Sequence, residues 1–144
     1  MDYIESLRYL YSLADFERSG RFSKRVDVAP VRALLEELGN PHLGRVTVHI
    51  AGSKGKGSVA AMVESIVRAS GRRTGLFTSP HLHRFTERIL VDGTPVSTQE
   101  WADGVAEVAA AVERVKEGMP DRQLVTFDVL TACLLYTSDA AAKA

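Results

Sequence analysis

The chain has 144 residues, 45% of them hydrophobic and 25% charged, and its 18 basic and 18 acidic residues give a formal net charge of zero. This length is sufficient for one domain with its own core, and the composition excludes a disordered chain. Without a net charge there is no global field to attract nucleic acid or an anionic membrane, so we expect neither partner. Acidic residues within the first five positions argue against a signal peptide.

Hydrophobic spacing and turn residues predict the secondary structure of the first half of the chain. A helix over residues 3–17 is followed by a polar, basic loop from Gly20 to Val28. A second helix begins at Pro30 and stops at Gly39, Asn40 and Pro41. Residues 46–50 (VTVHI) read as a buried strand. Residues 58–70 read as a helix that ends at Gly71.

The second half is predicted in the same way. The predicted elements are a short strand over residues 73–77, a loop over 78–88, a hairpin that pairs 89–91 with 95–96 through Asp92-Gly93, a helix from the Ser97–Glu100 capping box to about Lys116, and a helix over 124–135. One side of the longer helix carries Trp101, Val105, Val108, Val112 and Val115. The single cysteine, Cys133, lies in an apolar stretch and is expected to pack in the core, in a protein of the reducing cytoplasm.

Strand, loop, helix and strand in this order predict the α/β class, with a P-loop-type parallel sheet flanked by helices. The sequence ends in CLLYTSDAAAKA, without a further core strand or a helix stop signal. We therefore interpret the chain as a fragment. The alanine-rich end raises the hypothesis that residues 133–144 are a non-native tail.

The segment AGSKGKGSVA, residues 51–60, has the composition of a phosphate-binding loop. Glycines allow backbone N–H groups to converge on an anion, and a following helix adds the positive end of its dipole. Lys56 supplies a compact positive charge, and the hydroxyl of Ser58 can meet Mg²⁺. The usual P-loop motif ends in G-K-[ST], whereas Gly57 separates Lys56 from Ser58 in this sequence. A kinase or GTPase would be expected to have the usual ending.

Three blocks resemble the folylpolyglutamate synthase and dihydrofolate synthase branch of the Mur ligase superfamily. The segment AGSKGKGS resembles the family loop A-G-T-N-G-K-G-S. Residues 78–89, TSPHLHRFTERI, match every specified position of T-S-P-H-L-x-x-F-x-E-R-I. Residues 125–132, VTFDVLTA, resemble T-x-F-E-x-L-T-A, with Val125 and Asp128 as departures.

The resemblance implies a truncated Mur ligase central ATPase domain. Residues 1–132 would form part of the ATP-binding domain, and a C-terminal ligase domain would be absent. The implied reaction adds L-glutamate to dihydropteroate or a folate through an acyl phosphate made from ATP. The implied cofactors are ATP and Mg²⁺, and a monomer is expected. The family's other metal ligands, a glutamate and a histidine, would lie outside this chain.

The resemblance also implies site roles for individual residues. Lys56 is the catalytic candidate, since it would offset charge on the transferred phosphoryl group. The ATP-binding candidates are Gly52, Ser53, Lys54, Gly55, Lys56, Gly57 and Ser58. The metal candidates are Ser58 and Ser79. The substrate-binding candidates are Asp27, Pro80, His81, Phe127 and Asp128, of which Phe127 could stack on a pterin ring.

Several alternatives stay open. Phe127 could equally pack in the core, Asp27 could be an ordinary loop or N-cap acid, and Glu87-Arg88 could be an ion pair that fixes the loop or a substrate contact. His81 and His83 have no third partner in the sequence that would favour zinc. The functional alternatives are another Mur-type amino-acid ligase and a non-catalytic nucleotide-binding fragment.

Overall fold

The structure, a computed structural model, describes residues 1–13, 27–120 and 123–143, with side chains through residue 138. The predicted residues 14–17 of the first helix and most of the basic loop lie outside the described residues. The elements are α1 (Tyr3–Ser12), α2 (Ala29–Glu37), α3 (Lys56–Ala69), β1 (Gly75–Phe77), a 3₁₀ helix (Phe85–Arg88), β2 (Ile89–Val91), β3 (Thr94–Pro95), α4 (Thr98–Gly118) and α5 (Thr126–Lys143).

Helix α4 is the centre of the hydrophobic core. It begins with the predicted capping box, in which the Ser97 side chain accepts from Glu100 N and the Glu100 carboxylate accepts from Ser97 N. Helices α1, α2 and α5 all pack on it. All five residues predicted to form its apolar side are buried. Within this core, the Trp101 indole donates to the Ser6 hydroxyl at 3.1 Å, which satisfies the buried polar groups of both side chains.

The sheet has three short strands in the order β1-β2-β3, and both pairs are antiparallel. The predicted hairpin is confirmed: β2 and β3 are joined by Asp92 and Gly93, whose φ angles are 50° and 78°. Positive φ at both positions gives the twist that a two-residue hairpin turn requires. Strand β1 pairs with β2, so that Gly75 lies opposite Val91 and Phe77 lies opposite Ile89.

The prediction of a buried strand over residues 46–50 is wrong. This segment has no regular secondary structure, and Val46 and Val48 are 94% and 60% exposed. A strand needs a neighbour to satisfy its backbone N–H and C=O groups. Within the described part of the chain no strand pairs with these residues, and β1, the expected parallel partner, pairs with β2 instead. The predicted parallel pairing is therefore not found among the described residues.

Helix α3 lies against β1 with a face that is only half-buried and that includes Ala60, Val63 and Val67. None of its residues is buried, and Val59, Met62 and Ile66 are 44%, 58% and 70% exposed. At its other end, the Glu64 carboxylate accepts from Thr74 Oγ1 at 2.6 Å and from Arg68 Nε at 3.0 Å. These contacts fix the C-terminal half of α3 against the sheet.

Helix α5 begins at Thr126, two residues after the predicted start, and runs through Lys143 without a break at residue 132. Cys133 is 2% exposed within the core, as predicted, and burial raises the pKa of its thiol to about 12. The hypothesis of a non-native tail over 133–144 stays a prediction. No helix in the described part of the chain is both long enough and apolar enough to span a membrane.

A matched pair of leucine substitutions tests where the core lies. Leu34 is fully buried in α2, whereas Leu43 is 65% exposed. We expect Leu34→Ala to lower the free energy of unfolding by about 2–5 kcal/mol, because it removes buried methyl groups and leaves a cavity. Leu43→Ala should change it by less than about 0.5 kcal/mol. Urea denaturation followed by circular dichroism measures both, and equal losses would contradict this assignment of the core.

Candidate functional site

The glycine loop leads directly into the N-terminus of α3. Gly55 is the N-cap residue, with φ 74° and ψ 0°, and its carbonyl accepts the first helical hydrogen bond from Val59 N at 3.0 Å. Among the described residues, no side chain caps this end of the helix. The first N–H groups of the helix, which have no intrahelical acceptor, are therefore available to an anion near the positive end of the helix dipole. The helix begins at Lys56, slightly earlier than predicted, so Ser58 lies in its first turn.

Lys56 closes the loop on itself. Its ammonium group donates to the carbonyl oxygen of Gly52 at 2.7 Å. This contact spans the loop and places a positive charge beside the helix N-terminus. An ammonium group has three hydrogens, so Lys56 can donate to an anion while it also contacts Gly52. Every residue from Ala51 to Val59 is exposed, which leaves the whole loop accessible to a ligand.

The loop over residues 78–88 starts at the end of β1 and is fixed by its own backbone and by Glu87. Thr78 N donates to Arg88 O at 3.0 Å, which joins the two ends of the loop. The Glu87 carboxylate accepts from the backbone N–H groups of Leu82, His83 and Arg84, at 2.8 to 3.1 Å for the shortest contact to each. These hydrogen bonds lower the pKa of Glu87, and the bond from Leu82 N has the largest effect.

His81 lies against the side chains that end the loop. Arg88 Nε donates to His81 Nδ1 at 2.9 Å, and the His81 and Phe85 rings are 4.2 Å apart. Phe85 is itself buried and contacts the Trp101 ring at 5.7 Å. His81 is therefore anchored to the core. The side chain of His83 is 85% exposed, and Ser79 and Pro80 are also exposed.

The third block brings Phe127 next to the end of β1. The Phe127 and Phe77 rings meet edge to face, with centroids 5.8 Å apart, and Phe127 is half exposed. Half of its surface is thus accessible to a flat ligand, while the ring also packs against Phe77. The Asp128 side chain accepts from Val125 N at 3.0 Å at the start of α5, while burial raises its pKa.

Asp27 lies at the start of α2, where its carboxylate accepts from Ala29 N at 3.0 Å. This is the local contact that an acid at a helix start commonly makes. The structure therefore brings Phe127 and the 78–88 loop together at β1. The glycine loop is joined to the same strand by α3, and Asp27 is placed at a helix start. The ligand-binding roles of all these residues stay predictions.

The sequence interpretation missed how the loop is anchored. It considered Glu87 and Arg88 as an ion pair or as a substrate contact, whereas Glu87 accepts from three backbone amides and Arg88 donates to His81. An acid three residues after Arg84 at the start of a helical turn is a capping signal that could have indicated the role of Glu87. It also did not predict that Glu64 would accept from Thr74, since that contact depends on the packing of α3 on the sheet.

No family model matches the chain, whereas several known proteins are similar to it. It is 39% identical over 142 residues to the probable bifunctional folylpolyglutamate synthase/dihydropteroate synthase of Haloferax volcanii, covering 98% of this chain and 16% of that protein. It is 36% identical over 132 residues to the folylpolyglutamate synthase of Lacticaseibacillus casei, covering 92% of this chain and 29% of that protein.

Solved structures give the same result. A complex of folylpolyglutamate synthase with AMPPCP and folate matches with a TM-score of 0.83 and 34% identity, over 94% of this chain and 32% of that chain. The fold is thus that of the Mur ligases, a class of α/β proteins. Within this class, the chain belongs to the folylpolyglutamate synthase/dihydrofolate synthase family. It spans 16% and 29% of the length of the two relatives.

Substitutions at Gly55 and Gly57 should separate stability from ligand binding. Gly55 has φ 74°, so Gly55→Ala should lower the free energy of unfolding by about 1–2 kcal/mol. Gly57 has ordinary helical geometry, and a Cβ there meets nothing within 4 Å. Gly57→Ala should therefore stabilise the free chain by up to about 1 kcal/mol while it crowds a bound phosphate. Thermal unfolding and nucleotide titration measure the two effects. If Gly57→Ala lowers the stability of the chain and leaves nucleotide binding unchanged, the phosphate-binding geometry of the glycine loop is contradicted.

Glu87 should make the stability of the chain depend on pH. Because its pKa is lower in the folded chain, its stabilising contribution is present above the unfolded-state pKa and is lost as the pH falls through the folded-state pKa. We expect Glu87→Gln to be less stable than the parent at pH 7 and to lose less stability between about pH 5 and pH 3. Melting temperatures of the parent and the variant across this pH range measure the difference. Glu107→Gln, on the exposed face of α4, is the control and should follow the parent curve.

Proposed function

We propose that the chain forms part of the ATP-binding and folate-side site of an ATP-dependent ligase that adds L-glutamate to dihydropteroate or a folate. The observation that carries this proposal is the uncapped N-terminus of α3, with Gly55 in the left-handed region and Lys56 closing the loop. Helix N-termini of this kind bind phosphate groups. The family supports a nucleotide as the ligand, since one of its members is solved with AMPPCP and folate.

The reaction needs a good leaving group, because a carboxylate is a poor electrophile. Transfer of the γ-phosphoryl group of ATP to the carboxylate would form an acyl phosphate and release ADP. The amino group of glutamate would then attack the carbonyl carbon and release phosphate. In this scheme the protein orients the reactants and offsets their charge, and none of its residues acts as a covalent nucleophile.

The predicted site residues would have different roles in this reaction. The N–H groups at the start of α3 would bind phosphate oxygens, and Lys56 would offset the negative charge on the transferred phosphoryl group. Phe127 offers its exposed half to a pterin ring beside β1, and the 78–88 loop would cover the substrate with His81 and Pro80. Asp128 and Asp27 complete the predicted substrate contacts. The glutamate site would lie on polypeptide outside these 144 residues.

Ser58 and Ser79 would hold Mg²⁺ together with the nucleotide. In the described part of the chain no three His, Cys, Asp or Glu residues cluster as a metal site would require. Neutral hydroxyl oxygens nevertheless fit a Mg²⁺ ion whose charge is balanced by phosphate oxygens. When bound, the ion would supply positive charge at those oxygens. We further propose that the protein is a monomer in the reducing cytoplasm and that it has neither a nucleic-acid nor a membrane partner.

Isothermal titration with AMPPCP and Mg²⁺ tests the phosphate loop. Lys56→Ala removes a charged donor at the helix N-terminus and should weaken binding by roughly 10- to 100-fold, the value of one charge-assisted hydrogen bond. Lys54→Ala removes an equal charge two residues earlier. Lys54 is an ATP-binding candidate through its place in the loop, and loss of its exposed side chain should weaken binding by less than about threefold, because a solvated charge contributes little.

Two results would contradict the proposal. Equal losses in the two lysine variants would indicate a non-specific attraction of charges. No binding to the parent chain would favour the alternative of an inert fragment of the ligase. Another Mur-type amino-acid ligase would bind the nucleotide but not folate, so a folate titration in the presence of AMPPCP distinguishes it from a folate ligase.

A further inference from the structure

The side chain of Arg88 is buried at the end of the 78–88 loop, where it contacts two rings. It is 5% exposed. Its Nε lies 2.9 Å from His81 Nδ1, and its guanidinium carbon lies 5.2 Å from the centroid of Phe85. The His81 ring is also tilted by 37° against Phe85 at 4.2 Å. Arg88 and His81 therefore share one aromatic neighbour that belongs to the core.

The hydrogen bond between Arg88 and His81 can have only one direction. An arginine Nε always carries a hydrogen and cannot accept. His81 Nδ1 must then accept, which requires that it carries no proton. A neutral imidazole with an unprotonated Nδ1 has its hydrogen on Nε2. A second proton, on Nδ1, would break this bond and leave two cations 2.9 Å apart.

We propose that Arg88 is a positioning residue, which holds His81 as the neutral Nε2–H tautomer and so makes it a hydrogen-bond donor to a substrate oxygen. A carboxylate or a ring carbonyl would be the acceptor. This inference rests on the proposed function, in which His81 contacts the folate-side substrate. It adds that the ring acts as a fixed donor and that a buried arginine determines this.

Other contacts fix the backbone of the loop and do not involve the Arg88 side chain. Glu87 fixes the backbone after His81 through three amide groups, and the Thr78–Arg88 bond joins the loop ends. His83 provides a contrast within the same loop. Its side chain is 85% exposed, and its Nδ1 lies 3.8 Å from Glu87 Oε1. An exposed ring of this kind should exchange freely between its two tautomers.

Long-range ¹H–¹⁵N correlation spectra of the chain with ¹⁵N-labelled histidine test the tautomer directly. The four histidines are assigned by substitution, for example with His81→Gln. At neutral pH we expect the parent His81 to show a fully protonated Nε2 and an unprotonated Nδ1, while His83 shows averaged signals. In Arg88→Met, which keeps the unbranched side chain as far as the position of Nε but has no donor, His81 should lose its preference and resemble His83.

Further variants separate positioning from folding. Glu87→Gln disturbs the loop backbone and leaves the Arg88 side chain in place, so His81 should keep its tautomer there. Arg88→Lys retains a donor and should restore part of the preference lost in Arg88→Met. A parent His81 with a protonated Nδ1 overturns the proposal even if Arg88→Met does not fold. An unchanged tautomer in a folded Arg88→Met, checked by backbone amide spectra, overturns it as well.

Titrations on the same samples distinguish this inference from the proposed function. AMPPCP should shift the amide signals of Gly55 and Lys56 in the parent and in Arg88→Met alike, and the absence of these shifts counts against the phosphate loop alone. Folate added with AMPPCP should shift His81 Nε2 in the parent. A His81 signal that does not respond to folate overturns the donor role.

Discussion

Burial of one face of α4 is the interaction on which the rest of this structure depends. The helix presents an apolar stripe from Trp101 to Val115, and α1, α2 and α5 each cover part of it. Hydrophobic burial of this extent is the main stabilising contribution in a small domain. Three aromatic contacts connect the site with this core and with the sheet. Phe85 touches Trp101 and supports His81, and Phe77 touches Phe127 beside the same sheet.

Two parts of the site are built on different physical principles. The glycine loop uses backbone geometry: Gly55 in the left-handed region, an uncapped helix N-terminus and the ammonium group of Lys56. The 78–88 loop uses side chains to fix its own backbone, with Glu87 as the acceptor for three amides and Arg88 as the donor to His81. The first arrangement suits a phosphate group because the backbone N–H groups and the positive end of the helix dipole meet its charged oxygens. An organic substrate needs the second, since fixed donors and rings recognise its particular groups.

The sequence was sufficient wherever the structure is determined locally. The capping box at Ser97, the hairpin turn at Asp92-Gly93 and the helix stop at Gly71 depend only on residues a few positions apart, and all three are present. The strand prediction for residues 46–50 was wrong because a strand depends on a partner that a local pattern cannot specify. The contacts of Arg88 were missed for the same reason. They join residues seven positions apart through an irregular loop, for which no periodicity exists.

Helix α3 connects the glycine loop to the hairpin, and this has a consequence for the site. Glu64 and Arg68 join its second half to Thr74 and the hairpin turn, where a Cβ on Gly93 would lie 2.7 Å from Arg68 Nε. The helix runs without a break over 14 residues from Lys56 to Ala69, and the glycine loop continues from its first turn. A substitution at Glu64 or Thr74 should therefore alter the orientation of the glycine loop, although neither residue belongs to it.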